Sequence, residues 1–271
     1  MTRTITRAVV AAGGAGTKMA PITRIFPKEM LPVGRTPILE HLVGELRAAG
    51  MSDVLFVISS RKSQIASYFG SGAAYGMDFS YRIQDDGAGP GAPTLHAETW
   101  TQGQPFVLAF GDNLIRGAAD GQEPLRRLVR SGSAECSVLT RLFPAGNVPP
   151  HETLLGAAAP PITGTGPYDA AFGKDLLDHT GARWVHACAA RWVLGAFVFE
   201  ALRECPPRSN GELYLIDAVR RWISAGNELR AVPLLPTEFR FNCDNWETYA
   251  DAVATLRAST PHAPTQQGAS R

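Results

Sequence analysis

Apolar residues follow two rhythms in the first 110 positions. Residues 7–12 (Arg-Ala-Val-Val-Ala-Ala) form a short apolar run ending in Gly-Gly-Ala-Gly, the pattern of a buried parallel strand that feeds a tight loop. Residues 36–49 (TPILEHLVGELRAA) instead place Ile38, Leu39, Leu42, Val43 and Leu46 at helical spacing, and Gly50 supplies the stop. Val54 to Ser59 (VLFVIS) reads as a second buried strand. Strand, crossover helix and strand make a βαβ unit. The rhythm continues through a helix near 61–69 and strands near 79–83 and 106–110, which predicts an α/β fold around a mostly parallel sheet.

The second half is less regular. From Pro144 to Gly181 the chain is rich in Gly, Pro, Ala and Thr and reads as an irregular loop or insertion. Order returns with a strand-like stretch at Arg191–Glu200, a helix at Leu213–Ala225, a strand at Leu229–Leu234 and a closing helix over 246–257. Residues 1–257 are expected to form one domain. The polar, Pro-containing stretch 258–271 is expected to be a disordered tail.

Composition narrows the function classes. The 271 residues are 45% hydrophobic, enough for a sizeable core. Lys plus Arg is 26 against 25 for Asp plus Glu, so no global basic field exists to hold nucleic acid or an anionic membrane. Phosphate recognition must therefore be local. No apolar run approaches a membrane span and Met1–Arg7 is polar, so a cytoplasmic protein is expected. Cys136, Cys188, Cys205 and Cys243 lack zinc-site spacing and read as free structural thiols. Only four lysines occur (Lys18, Lys28, Lys62 and Lys174), and two of them flank the glycine loop.

That loop carries the candidate chemistry. In AAGGAGTKMAPITRIFPKEMLPV, residues 11–33, the glycines at 13, 14 and 16 let backbone N–H groups turn toward one point, as a triphosphate requires. Lys18 and Lys28 add mobile positive charge. Glycines alone are a weak signal, because dinucleotide-binding sheets open in the same way. Here, however, no glycine follows Gly16 by three residues, and Asp53 precedes the second strand rather than ending it.

The whole segment resembles the signature GxGTRxxPxTxxxPKxxLPV of the nucleoside-triphosphate:sugar-1-phosphate nucleotidyltransferases. It matches at Gly14-Ala15-Gly16-Thr17-Lys18, Pro21, Thr23 and Pro27-Lys28-Glu29-Met30-Leu31-Pro32-Val33. The PKEMLP form looks most like the bacterial UTP:glucose-1-phosphate uridylyltransferases, with the thymidylyltransferases close by. The resemblance implies a Rossmann-like, GT-A-like central sheet flanked by helices and a nucleotide cradle from Ala12, Gly13, Gly14, Ala15, Gly16 and Thr17. It implies charge neutralisation by Lys18 and Lys28. Gln84 falls where the family places a base-reading Gln, ahead of a Gly-rich turn that includes Gly91, although an exposed loop Gln is an equal reading. Phe106–Asp112 (FVLAFGD) resembles the strand ending in a magnesium-binding Asp, with a turn or cap role for Asp112 as the alternative. Gly195 and Glu212 lie in segments that resemble the acceptor-lining strand and the start of a helix. Glu212 and Asp217 can equally be first-turn acids favoured by the helix dipole. Phe241–Asn245 occupies the place of a W-x-D-x-G-T turn, offering Asn242 and Asp244 as further metal ligands.

Three departures accompany the match. Lys18 stands where the signature has Arg, and Asn242 where it has the second metal Asp. The Glu-Lys-Pro motif is replaced by Leu177-Asp178-His179-Thr180, with Lys174 and Arg183 the nearest cations. Two readings follow: an active transferase that joins a nucleoside monophosphate from UTP or dTTP to a sugar-1-phosphate or related phosphomonoester with magnesium, or a nucleotide-binding relic of the same fold. The partners implied are a nucleoside triphosphate and a small phosphorylated acceptor, with the oligomeric state open and a homo-oligomer among the options. Read as a loop cation, Lys28 should matter for triphosphate affinity and little for stability.

Overall fold

The structure, a computed structural model, describes residues 4–84, 89–117, 123–131, 135–149, 152, 154–158, 170–172 and 183–259. Its strands in chain order are β1 (Arg7–Ala12), β2 (Pro32–Val33), β3 (Thr36–Pro37), β4 (Asp53–Ser59), β5 (Asp78–Gln84), β6 (Phe106–Phe110) and β7 (Asn113–Arg116). They continue with β8 (Cys136–Pro144), β9 (Leu154–Ala158), β10 (Ala170–Phe172), β11 (Trp184–Leu194), β12 (Leu229–Pro233) and β13 (Phe239–Asn242). The helices are α1 (Ile38–Ala48), α2 (Ser63–Phe69), α3 (Ala92–Leu95), α4 (Glu98–Thr101), α5 (Glu123–Ser131), α6 (Phe197–Arg203), α7 (Leu215–Ser224) and α8 (Trp246–Ser259).

Nine strands share one sheet in the order β10-β12-β8-β11-β6-β1-β4-β5, with β9 paired to β11. β6, β1, β4 and β5 are mutually parallel, and β12 is parallel to β8. β11 runs against β6, β8 and β9, and β10 runs against β12. The mostly parallel α/β sheet expected from the sequence is therefore present, interrupted by β11 and edged by β10.

Burial on both faces explains the unbroken apolar runs. Along β1 and β4, Ala8, Val10, Val54, Phe56 and Ile58 face the layer of α1, α2 and α5. Val9, Leu55 and Val57 face the layer of α6 and α7. A third, smaller cluster joins Met19, Leu31, Val33, Ile38, Leu114, Cys243 and Ala252, tying the glycine-loop segment to β7, the 243 turn and α8. Among the described residues, no helix is long and apolar enough to cross a membrane.

Two expectations need correction, and three strands went unforeseen. The stretch Arg191–Glu200 is not one strand, since β11 ends at Leu194 and α6 begins at Phe197. The irregular stretch 144–181 contributes β9 and β10 to the main sheet, because edge pairing can recruit Ala-rich segments that carry no local strand signal. β8 and the small β7–β13 ladder escaped the periodicity entirely. Most of 144–181, including the slot of the missing Glu-Lys-Pro motif, and the tail beyond Ser259 lie outside the described residues.

Candidate active site

The chain order places a crevice by topology alone. From β1 it passes to β4 and β5 on one side, then returns to β6 on the other. The carboxyl ends of β1 and β6 therefore flank the switch point where open α/β sheets bind ligands. Ala12 ends β1 there, and Asp112 follows β6 by two residues.

The glycine loop leaves β1 with its donors uncommitted. Among the described residues, the backbone N–H groups of Gly14, Ala15 and Gly16 meet no backbone acceptor, and Gly14 and Ala15 are exposed. Gly16 adopts φ 68° and ψ 28°, a left-handed turn that a side chain resists. Its carbonyl accepts the Thr23 hydroxyl at 2.9 Å, so the motif Thr braces the loop. Gly13 lies directly against the Gln84 side-chain amide, which would have to shift to admit a Cβ there. The Gln84 side chain thus lies across the loop, buried at the end of β5, and its Oε1 has no hydrogen-bond partner among the described residues. The exposed-loop reading of Gln84 is overturned. Gly91 donates its N–H to Leu213 O at 2.8 Å, and a Cβ on Gly89 would lie 2.6 Å from Glu212 Cβ. Glu212 therefore stands with the 89–91 turn, where its Oε2 accepts from Tyr214 Oη at 2.8 Å and Asn210 Nδ2 at 2.9 Å. Asp217 is clamped by Arg208 through two 2.7 Å hydrogen bonds and serves as a structural first-turn acid of α7.

Charges converge opposite the loop. Lys28 Nζ lies 2.5 Å from Asp112 Oδ2, and Asn113 Nδ2 donates to Asp112 Oδ1 at 2.7 Å. Burial alone would raise the Asp112 carboxyl, but the Lys28 charge and the hydrogen bonds from Lys28 and Asn113 hold it below the usual carboxylate range. Burial likewise works against the Lys28 ammonium, yet Asp112, Glu29 and Asp244 together keep it above its ordinary value. Both groups are charged at neutral pH. The antiparallel β7–β13 pairing sets Asn242 opposite Asn113, and Cys243 N–H donates to Asp112 O at 2.8 Å. That ladder delivers Asp244, whose Oδ2 takes Lys18 Nζ at 2.7 Å. Asn242 itself is half-buried, and its carbonyl receives the Thr248 hydroxyl.

Sequence reasoning missed two groups. Lys62, buried, donates to Ala12 O at 2.9 Å and to both Glu29 oxygens at 2.7 and 2.8 Å, locking the end of β1 to the motif Glu. The scarcity of lysine could have exposed it, since three of the chain's four lysines now belong to this site. Arg240 donates to Asn113 Oδ1 at 2.7 Å and to Glu152 Oε2 at 2.7 Å, while Arg141 reaches Glu152 Oε1 at 3.2 Å. No local pattern marks these arginines. One assignment fails outright. Gly195 follows the β11 residue that pairs with Phe106, at the start of β6, so it lies at the sheet edge opposite Asp112. An antiparallel β11 enters at the site and leaves at the far side, which local sequence does not reveal.

A glycine loop, a lysine-paired carboxylate and a buried side-chain amide thus come together at the switch point of an open α/β sheet. Residues 7–147 match the family described as Nucleotidyl transferase, and the chain belongs to that family. It is 27% identical to the glucose-1-phosphate thymidylyltransferase of Streptomyces antibioticus over 83% of this chain and 60% of that protein. It is 24% identical to the UTP–glucose-1-phosphate uridylyltransferase of Mycoplasma pneumoniae, over 93% of both. Among solved structures, a UDP-glucose pyrophosphorylase complexed with UDP-glucose superposes with a TM-score of 0.77 at 23% identity, covering 94% of this chain and 100% of that one. A UTP-bound UGPase from Acinetobacter baumannii gives 0.74 at 20% identity, covering 95% of both. At such identities these structures establish the shared fold.

Proposed function

We propose that this chain transfers a nucleoside monophosphate from a nucleoside triphosphate to a sugar-1-phosphate or a related phosphomonoester, releasing pyrophosphate. The observation that carries the reading is the row of N–H groups at Gly14, Ala15 and Gly16 that meet no acceptor among the described residues, on a loop whose Gly16 lies against the side chain of Lys28, the partner of Asp112 at the switch point. An acceptor phosphate oxygen forms a new bond to the α-phosphorus while the bond to the β-phosphate oxygen breaks, and pyrophosphate carries away the electron pair. No side-chain nucleophile is needed, so alignment and charge neutralisation supply the rate. The loop amides hold phosphate oxygens, and Lys28 and Lys18 neutralise them. On the acceptor side, Arg240 and Arg141 are cations that the sequence did not suggest. Gln84, with an unpaired buried Oε1, suits the edge of a pyrimidine and favours UTP or dTTP.

Magnesium fits the donor set. Magnesium takes one or two carboxylates plus phosphate oxygens and water. Asp112 and Asp244 both face Lys28, and no group of three or more His, Cys, Asp or Glu able to hold a metal occurs among the described residues. Asp112 and Asp244 would hold the ion, with Asn242 a neutral neighbour, and the ion would lower the charge on the phosphates. The same reading places the protein in the cytoplasm, a reducing compartment that leaves its four buried cysteines as free thiols. The test is pyrophosphate release from UTP, dTTP, CTP, ATP and GTP with magnesium and a panel of phosphomonoesters. Turnover with a pyrimidine triphosphate is expected. Nucleotide-dependent thermal stabilisation without turnover for any acceptor would make the chain a binding relic instead.

A further inference from the structure

Among the described residues, Arg191 is the largest fully buried side chain, and β11 is irregular around it. The register against β8 shifts between Cys188 and Trp192, and Ala190 takes φ 60°, an uncommon angle for a residue with a Cβ. A bulge of this kind re-aims the side chain beside it. The Arg191 guanidinium runs under β6 and donates Nη1 to Phe110 O at 3.4 Å and Nη2 to Asn113 O at 2.9 Å. Those two carbonyls bracket Gly111 and Asp112. Glu45, buried on α1, balances the charge, with Oε2 at 2.8 Å from Nη2 and Oε1 at 3.2 Å from Nε. Nη1 also reaches Ala190 O at 3.1 Å, closing the bulge on itself.

Such a pair is hard to explain as a source of stability. Taking two charges out of water costs several kcal/mol per ion, and apolar residues of similar volume often fill such a space at no loss. What the guanidinium supplies that an apolar side chain cannot is a planar fork of donors holding two carbonyls at one spacing. Asn113, whose carbonyl it holds, in turn donates to the Asp112 carboxylate.

We propose that Arg191, balanced by Glu45, is a positioning residue: it sets the backbone turn Phe110–Asn113 and thereby the aim of Asp112 toward the reacting phosphates. The proposal rests on the nucleotidyl-transfer reading for the chemistry, and on the hydrogen bonds alone for the turn. Arg191 touches no substrate. Misplacing a reacting group by about 1 Å can cost about a hundred-fold in rate.

The test replaces the pair by apolar side chains, Arg191→Met with Glu45→Leu, and compares it with Arg191→Lys, which keeps a charge for Glu45 but loses the fork. Hydrogen–deuterium exchange reports on the Gly111 N–H, bonded to Ala11 O, and the Cys243 N–H, bonded to Asp112 O, with Phe56 in β4 as the control. Both variants should melt within a few degrees of the wild type. Exchange at Gly111 and Cys243 should quicken while Phe56 stays protected, and kcat should fall about ten- to a hundred-fold with KM for the triphosphate within about threefold. If the apolar variant fails to fold, Arg191→Lys decides alone. Unchanged exchange at Gly111 and Cys243 in a folded variant overturns the proposal, as does quickened exchange with an unchanged kcat. If the wild-type chain transfers no nucleotide, the proposed function fails, and the exchange comparison still decides whether Arg191 holds the turn.

Discussion

Lys28 and Asp112 meet at the floor of the site with 10% and 19% of their side chains exposed, whereas Lys18 reaches Asp244 at the rim with 59% of its own side chain in solvent. Both contacts join a lysine of the glycine-loop segment to an aspartate brought from elsewhere. Water makes them different. At the floor, little solvent competes, Asn113 completes the carboxylate's hydrogen bonding, and losing either partner leaves a buried charge uncompensated. At the rim, water and salt screen the attraction, and the flexible lysine loses entropy by holding one pose. Under the proposed function, the floor would therefore link stability to chemistry, while the rim would serve chemistry with almost no effect on folding.

The sharpest way to break this contrast is Asp112→Ala. Turnover should fall by about a thousand-fold or more, the scale of removing a group that stabilises transition-state charge. Calorimetry should also show a loss of about 3 kcal/mol, because Lys28 is left buried without its partner. Activity within tenfold of wild type would remove Asp112 from the reaction.

Lys28→Ala comes next and separates the tertiary structure from the sequence reading. A loop cation would weaken triphosphate binding and leave melting alone. Because Lys28 is buried against Asp112, the variant should bind triphosphate at least about tenfold more weakly and also melt several degrees lower. Titration calorimetry and thermal melting on the same sample decide it, and an unchanged melting temperature would place Lys28 at the rim.

Lys18→Ala sharpens the other side. Its kcat/KM should drop about tenfold, or about 1.4 kcal/mol, for one charge-assisted contact to the transition state. Stability should stay within about 0.5 kcal/mol. A large melting shift would contradict the exposed geometry.

The smallest effect is the acid arm of stability. Asp112 titrates below its unfolded value, so its contribution is complete above about pH 4 and drains away as pH falls through the folded value. Asp112→Asn should flatten that part of the stability curve. A curve as steep as the wild type's would mean that other carboxylates dominate the acid transition.

Legibility of the site followed sequence distance. The cradle, its bracing Thr23 and Lys28 fall within one short segment, so their spacing shows in the string itself. Asp112 was readable because a buried strand ending in Gly-Asp has a recognisable form. Lys62 lies 50 residues from the carbonyl it holds and Arg191 lies 146 from Glu45, and no periodicity links such pairs. Gly195 was misplaced for a related reason: its segment looks the same whether β11 runs up or down the sheet.

The sequence by itself determined the α/β class, the glycine loop after β1 and the carboxylate at the end of β6, because buried strands and tight turns each impose local residue patterns. Only the tertiary structure decided the direction of β11, the burial of Lys28, the partner of Lys18 and the arginine beneath Asp112. Those depend on which strands become neighbours and in what register, and a pairing of that kind is a property of the folded sheet, written into no single stretch of the chain.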